Sequence, residues 1–111
     1  MRLHVEGADR GTQLIRVIGD LEGEDALTLA RVPEETDDPP PRRRVIDLTE
    51  ITFMDSAGVR ALLDVATATT EAGGEIVLVI RGDSYVRRLL EIRGVIHRFR
   101  VYATREEALA G

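Results

Sequence analysis

The chain has 111 residues, 43% of them apolar and 32% charged, which is material for about one folded unit and excludes a multidomain enzyme. It has no Cys, which excludes disulfide frameworks, thiol catalysis and thiolate-bound zinc, and His4 and His97 are too few for a histidine metal site. The net charge is −5, with ten acids against four Arg in residues 1–41 and ten against eleven in 42–111, so there is no basic surplus for nucleic acid and, with two Phe, two Tyr and no Trp, little to stack on bases.

Taken in chain order, residues 3–5 and 13–18 carry the apolar and β-branched positions of two strands, the second ending at Gly19. A turn over residues 19–25 leads to a short helix at 26–31, which Pro33 limits. Residues 34–44 hold two Glu, two Asp, three consecutive Pro and three consecutive Arg without one apolar side chain, so the segment 33–44 is expected to be an exposed, partly extended loop. Residues 45–48 read as a buried strand. After 49–54 the spacing becomes helical, with Val59, Leu62, Leu63 and Ala66 on one side and Arg60, Asp64, Thr67 and Glu71 on the other.

Gly73 and Gly74 stop that helix, and residues 76–80 form the unbroken apolar run of a central parallel strand. Gly82, Asp83 and Ser84 turn the chain into a further helix with Val86, Leu89 and Leu90 inward and Gly94 beyond its end. Residues 99–102 make a last strand, and Thr104 with Glu107 is a capping box for a terminal helix. The alternation predicts an α/β fold, a single domain over 1–111, with a mainly parallel mixed sheet of about five strands, helices packed on it, and the first strand antiparallel at an edge. No apolar run approaches the ~20 residues of a membrane span and the first residues lack a signal-peptide core, so a cytoplasmic protein is expected. All 15 basic residues are Arg, a bias that fits a bacterial genome rich in GC codons.

Chemistry concentrates where a buried strand runs into Asp55 and Ser56 at the start of a helix. Free N–H groups and the positive end of the helix dipole favour an anion there, including a phosphate carried on Ser56, and the small Ala57 and Gly58 leave the hydroxyl accessible. Phosphorylation would add about −1.5 to −2 charges beside Asp55. On local chemistry alone, Asp and Ser at a helix start are ordinary caps. A nucleophilic Ser lacks support, since the Gly-x-Ser-x-Gly elbow is absent and no motif recruits His4 or His97, and Gly73, Gly74 and Gly82 build no Walker-type phosphate loop.

The stretch Phe53-Met54-Asp55-Ser56-Ala57-Gly58 resembles the signature of STAS domains, specifically bacterial anti-sigma factor antagonists. Gly19-Asp20-Leu21-Glu22 resembles the family's Gly-Glu-Leu/Ile-Asp turn with the two acids exchanged, and Gly73-Gly74, the helix around Val86 to Leu90, and Gly94 follow in the family's order. The resemblance implies a non-enzymatic binding protein without cofactor or metal. When unphosphorylated it would bind a cognate anti-sigma factor, a serine kinase of the GHKL type, and so release a sigma factor. Phosphorylation of Ser56 would end that binding and a phosphatase would restore it. By the same resemblance Gly19, Asp20, Leu21, Glu22, Asp55, Ser56, Ala57, Gly58 and Arg60 form the partner surface. The alternative is an unphosphorylated STAS scaffold or an accessory subunit of a signalling or lipid-transport complex, with Ser56 only a cap. The family's long first helix is replaced here by a short signal, Pro33 and the charged loop.

Overall fold

Alternating apolar and polar residues open the chain as a hairpin, in which β1 (Arg2–Ala8) runs antiparallel to β2 (Thr12–Leu21) with Leu3 opposite Val17 and Val5 opposite Ile15. The computed structural model describes residues 1–8 and 11–110, and only the backbone of Ala8. β3 (Arg43–Met54), β4 (Glu75–Val79) and β5 (Arg100–Tyr102) follow in parallel, so the sheet has the order β1-β2-β3-β4-β5 with its antiparallel strand at one edge, as the pattern predicts. Between them lie α1 (Asp25–Ala30), α2 (Val32–Thr36), α3 (Ser56–Glu71) and α4 (Tyr85–Ile92), and α5 (Arg105–Ala110) closes the fold.

Strand alternation sends Ile15, Val17, Ile46, Leu48, Ile76 and Leu78 to one face, where they meet Leu29 of α1, Leu62 and Val65 of α3, and Leu90 of α4 in the main core. The opposite face carries the smaller cluster of Leu14, Val45, Val77 and Val79, covered by Ala108 of α5 and Tyr102. Val65 takes the deep position in α3, while Leu63 is half-buried. Gly73, at φ +86°, ends α3 as expected, and Thr104 Oγ1 accepts the Glu107 N–H at 3.2 Å at the start of α5. No helix among the described residues is long and apolar enough to cross a membrane.

Three segments differ from the sequence reading. Gly19 does not end β2: it sits at φ +98° beside a shift in register, a conformation open to glycine, and the strand continues to Leu21. Residues 49–54 stay extended because Ile18, Gly19, Asp20 and Leu21 pair with Glu50, Ile51, Phe53 and Met54. β4 pairs with β3 only as far as Asp47, so β2 and β3 project together past the rest of the sheet as a two-stranded ribbon.

The third difference is the segment 33–44. α1 ends at Ala30, before Pro33 as expected, but Pro33 itself is buried in the first turn of α2, where its missing N–H costs nothing, and so it helps to start a short helix where the sequence reading has a loop. Arg44 belongs to β3 and is fully buried, its guanidinium donating to Asp37 Oδ1, to Thr69 Oγ1 at 2.6 Å and, through Nε, to Gln13 Oε1 at 2.7 Å. That shared set of acceptors is what allows a charge inside the core. Pro39 and Pro40 are exposed, as expected.

Candidate functional site

The projecting ribbon ends at Leu21 and Met54, and the next residue, Asp55, is extended (φ −107°, ψ −171°) and caps α3. Its Oδ1 accepts the Gly58 N–H at 3.0 Å, one of the helix donors without an intrahelical partner. Its Oδ2 accepts the Gly23 N–H at 3.3 Å, and its own N–H points to the Leu21 carbonyl at 3.4 Å. One carboxylate therefore joins two segments more than thirty positions apart in the chain, the turn after β2 and the start of α3. This is the juxtaposition that the resemblance implies for residues 19–22 and 55–58.

Ser56, the first residue of α3, is exposed, so its hydroxyl is open to a reactant while the main chain around it is held. Gly58 is more than a small residue beside the hydroxyl. It is buried, and a Cβ built on it would lie 2.5 Å from the Leu21 carbonyl oxygen and 2.6 Å from Met54 Cγ. Its lack of a side chain seats α3 directly on the end of the ribbon, and the access to Ser56 comes from the position of Ser56 itself. Leu21 is likewise no surface residue: it is fully buried in the core, because β2 alternation points it inward and Asp20 outward. Both corrections move a predicted contact residue into the support of the site.

The remaining predicted residues lie around the opening. Asp20 is exposed and its Oδ1 accepts the Thr52 hydroxyl at 2.5 Å across the ribbon, while Glu22 is exposed and Ala57 half-buried. Arg60, one turn along α3, is exposed and paired with Asp64 at 3.1 Å, a surface pair that restrains it little. Glu22, Gly23, Glu24, Asp25 and Asp55 line a shallow acidic depression beside the helix start. Among the described residues no group of His, Asp or Glu is arranged to hold a metal ion.

Two aromatic residues stand at the site, Phe53 of the signature stretch and Tyr85, which sequence reasoning did not single out. Phe53 stacks on Tyr85 with ring centroids 6.2 Å apart and planes 18° apart, both rings are partly exposed, and the Tyr85 phenol donates to the Met54 carbonyl at 2.9 Å. Tyr85 opens α4, whose first turn is fixed by Ser84 Oγ accepting the Arg87 N–H at 3.2 Å. The available signal was an aromatic directly after a Ser cap in a chain with four aromatic residues in all.

The model of the STAS domain family matches residues 8–108. The candidate anti-sigma factor antagonist BtrV of Bordetella bronchiseptica is 39% identical over 69 residues, a stretch that is 62% of this chain and 59% of that relative's length. The anti-sigma factor antagonist SpoIIAA of Bacillus, in its unphosphorylated form, superposes with a TM-score of 0.76 at 22% identity, covering 98% of this chain and 96% of that one. A sulfate transporter family protein from Wolinella succinogenes superposes with a TM-score of 0.83 at 19% identity, over 95% of this chain and 87% of that one.

Proposed function

The chain belongs to the STAS domain family, and on that premise we propose that it is an anti-sigma factor antagonist whose Ser56 end binds a cognate anti-sigma factor, a serine kinase of the GHKL type, until Ser56 is phosphorylated. The observation that carries the reading is the exposed Ser56 hydroxyl on a main chain pinned by Asp55 and seated through Gly58. The name of the relative BtrV supports the antagonist class, and the existence of SpoIIAA in unphosphorylated and phosphorylated forms supports phosphorylation as its control.

In the unphosphorylated state the partner meets a neutral hydroxyl beside Asp20, Glu22, Ala57 and Arg60. Transfer of the γ-phosphoryl group from ATP to Ser56 Oγ, with loss of the hydroxyl proton and release of ADP, adds about two negative charges at that point. The start of α3 accommodates them through its free N–H groups. A partner shaped around the hydroxyl does not, because it meets added bulk and a charge that reinforces Glu22, Glu24 and Asp55. A phosphatase that removes the group restores binding.

The test is capture from a lysate of the source organism with wild type, Ser56→Ala and Ser56→Asp as baits. A GHKL-type kinase retained by wild type and Ser56→Ala and lost with Ser56→Asp is the expected result. Equal retention of one non-kinase partner by all three baits overturns the switch and moves the function to a scaffold or accessory subunit, a role in keeping with the fold's occurrence in a transporter family protein.

A further inference from the structure

We propose that Tyr85 is a positioning residue for Ser56: its phenol fixes the peptide unit between Met54 and Asp55 and so holds the serine where a partner kinase can reach it. The inference rests on the reading of Ser56 as the phosphorylated residue. The peptide unit in question is held from two sides. Its carbonyl accepts from Tyr85 Oη at 2.9 Å, and its N–H points to the Leu21 carbonyl at the longer distance of 3.4 Å. The second bond is the weaker by length, so the phenol carries the larger share of the restraint. Without it, the unit can rotate about the Met54 ψ and the Asp55 φ that bound it, and Ser56 follows directly in the chain.

The sequence places a phenol there for a definable reason. Helical side chains lean toward the N-terminus, so a residue in the first turn of α4 reaches past the helix end to the strand below. Ser84 fixes that turn, and Phe53 stacks against the ring and limits its swing. Met54 is itself immobilised, its side chain fully buried under Gly58. Three elements, the ribbon, α3 and α4, thus converge on the residues before Ser56. Phenylalanine at position 85 would fill the same space and stack as well. Only the hydroxyl supplies the bond.

The test compares wild type, Tyr85→Phe and, as a control that keeps the hydroxyl and removes the stack, Phe53→Leu. Amide hydrogen exchange followed by NMR in the free proteins is the first readout. Tyr85→Phe is expected to speed exchange of the Asp55 amide about 3- to 10-fold, with the amides of Val77 and Leu78 in β4 unchanged and a smaller effect from Phe53→Leu. An unchanged Asp55 amide overturns the proposal. The second readout is Ser56 phosphorylation by the kinase recovered with the Ser56→Ala bait, where a fall in kcat at constant KM is expected. A rise in KM at constant kcat makes Tyr85 a docking contact and overturns the positioning role. If no kinase is recovered, the reading of Ser56 fails by itself, and the exchange experiment still decides whether Tyr85 holds the peptide.

Discussion

At the start of β3 the guanidinium of Arg44 is fully enclosed and spends its donors on Asp37, Thr69 and Gln13. At the far end of the same strand the carboxylate of Asp55 is half-buried and spends its acceptors on the main-chain N–H groups of Gly58 and Gly23. Each charge joins segments distant in the chain, yet the first network closes on itself and the second leaves Ser56 facing outward. The difference separates a charge that holds the fold from one that holds a site. It also gives the two ends distinct signatures under mutation, stability at the first and partner binding at the second.

The largest effect is expected at the closed end. Arg44→Met keeps much of the side-chain volume but leaves the Asp37 carboxylate, 13% exposed, and the Thr69 hydroxyl without their donor. Removing one member of a buried pair costs about 3–5 kcal/mol, and because water already reaches part of the Asp37 side chain, the lower end of that range is expected in urea denaturation. Below its melting transition the variant should still retain the partner captured by wild type. Loss of capture by a fully folded Arg44→Met protein breaks the comparison, since the two ends would then be coupled.

The two ends also differ in how far the sequence discloses them. Asp55, Ser56 and Gly58 are contiguous, and a strand running into a small-residue helix start is visible in one short window. Arg44 stands last in a run of three arginines, where local polarity reads as solvent, and its acceptors lie 7, 25 and 31 positions away. The contact of Tyr85 with Met54 also spans 31 positions and leaves no periodic trace. Leu21 is a different case. Reading residues 19–22 as a turn exposes all four, whereas continuing the alternation of β2 through Gly19 points Leu21 inward. The five strands and the antiparallel edge strand were legible because each strand's apolar run is local, while the length of β3 was not, because its last residues pair with β2 alone.

Gly58→Ala sharpens the comparison at the open end. The methyl group would meet the Leu21 carbonyl oxygen at 2.5 Å and Met54 Cγ at 2.6 Å, so the first turn of α3 must lift from the ribbon. Overpacking of this kind costs about 1–3 kcal/mol, and the better helix propensity of Ala returns up to about 1 kcal/mol. A net loss of about 1 kcal/mol in denaturation is therefore expected, together with a loss of partner capture out of proportion to it. Wild-type capture by a Gly58→Ala protein would mean that the seating of α3 is not what presents Ser56.

The smallest effect belongs to a charge pair that is neither enclosed nor at the site. Arg16 Nη2 donates to Glu50 Oε1 at 2.7 Å across β2 and β3, with both side chains partly open to water. The hydrogen bond from Arg16 holds the Glu50 carboxyl below its ordinary value of 4.5, and the same bond raises Arg16 further above a range in which it never titrates. A carboxylate depressed on folding stabilises the protein above its unfolded pKa and ceases to do so as the pH falls through its folded one. Wild type should therefore melt slightly above Glu50→Gln at pH 7, and the gap should close as the pH drops below about 4. Because water and ions reach this pair, added salt should also narrow the gap, whereas the deficit of Arg44→Met should survive the same salt. A salt-insensitive Glu50→Gln gap would place Arg16 and Glu50 with Arg44 among the enclosed charges, and burial would no longer be what distinguishes them.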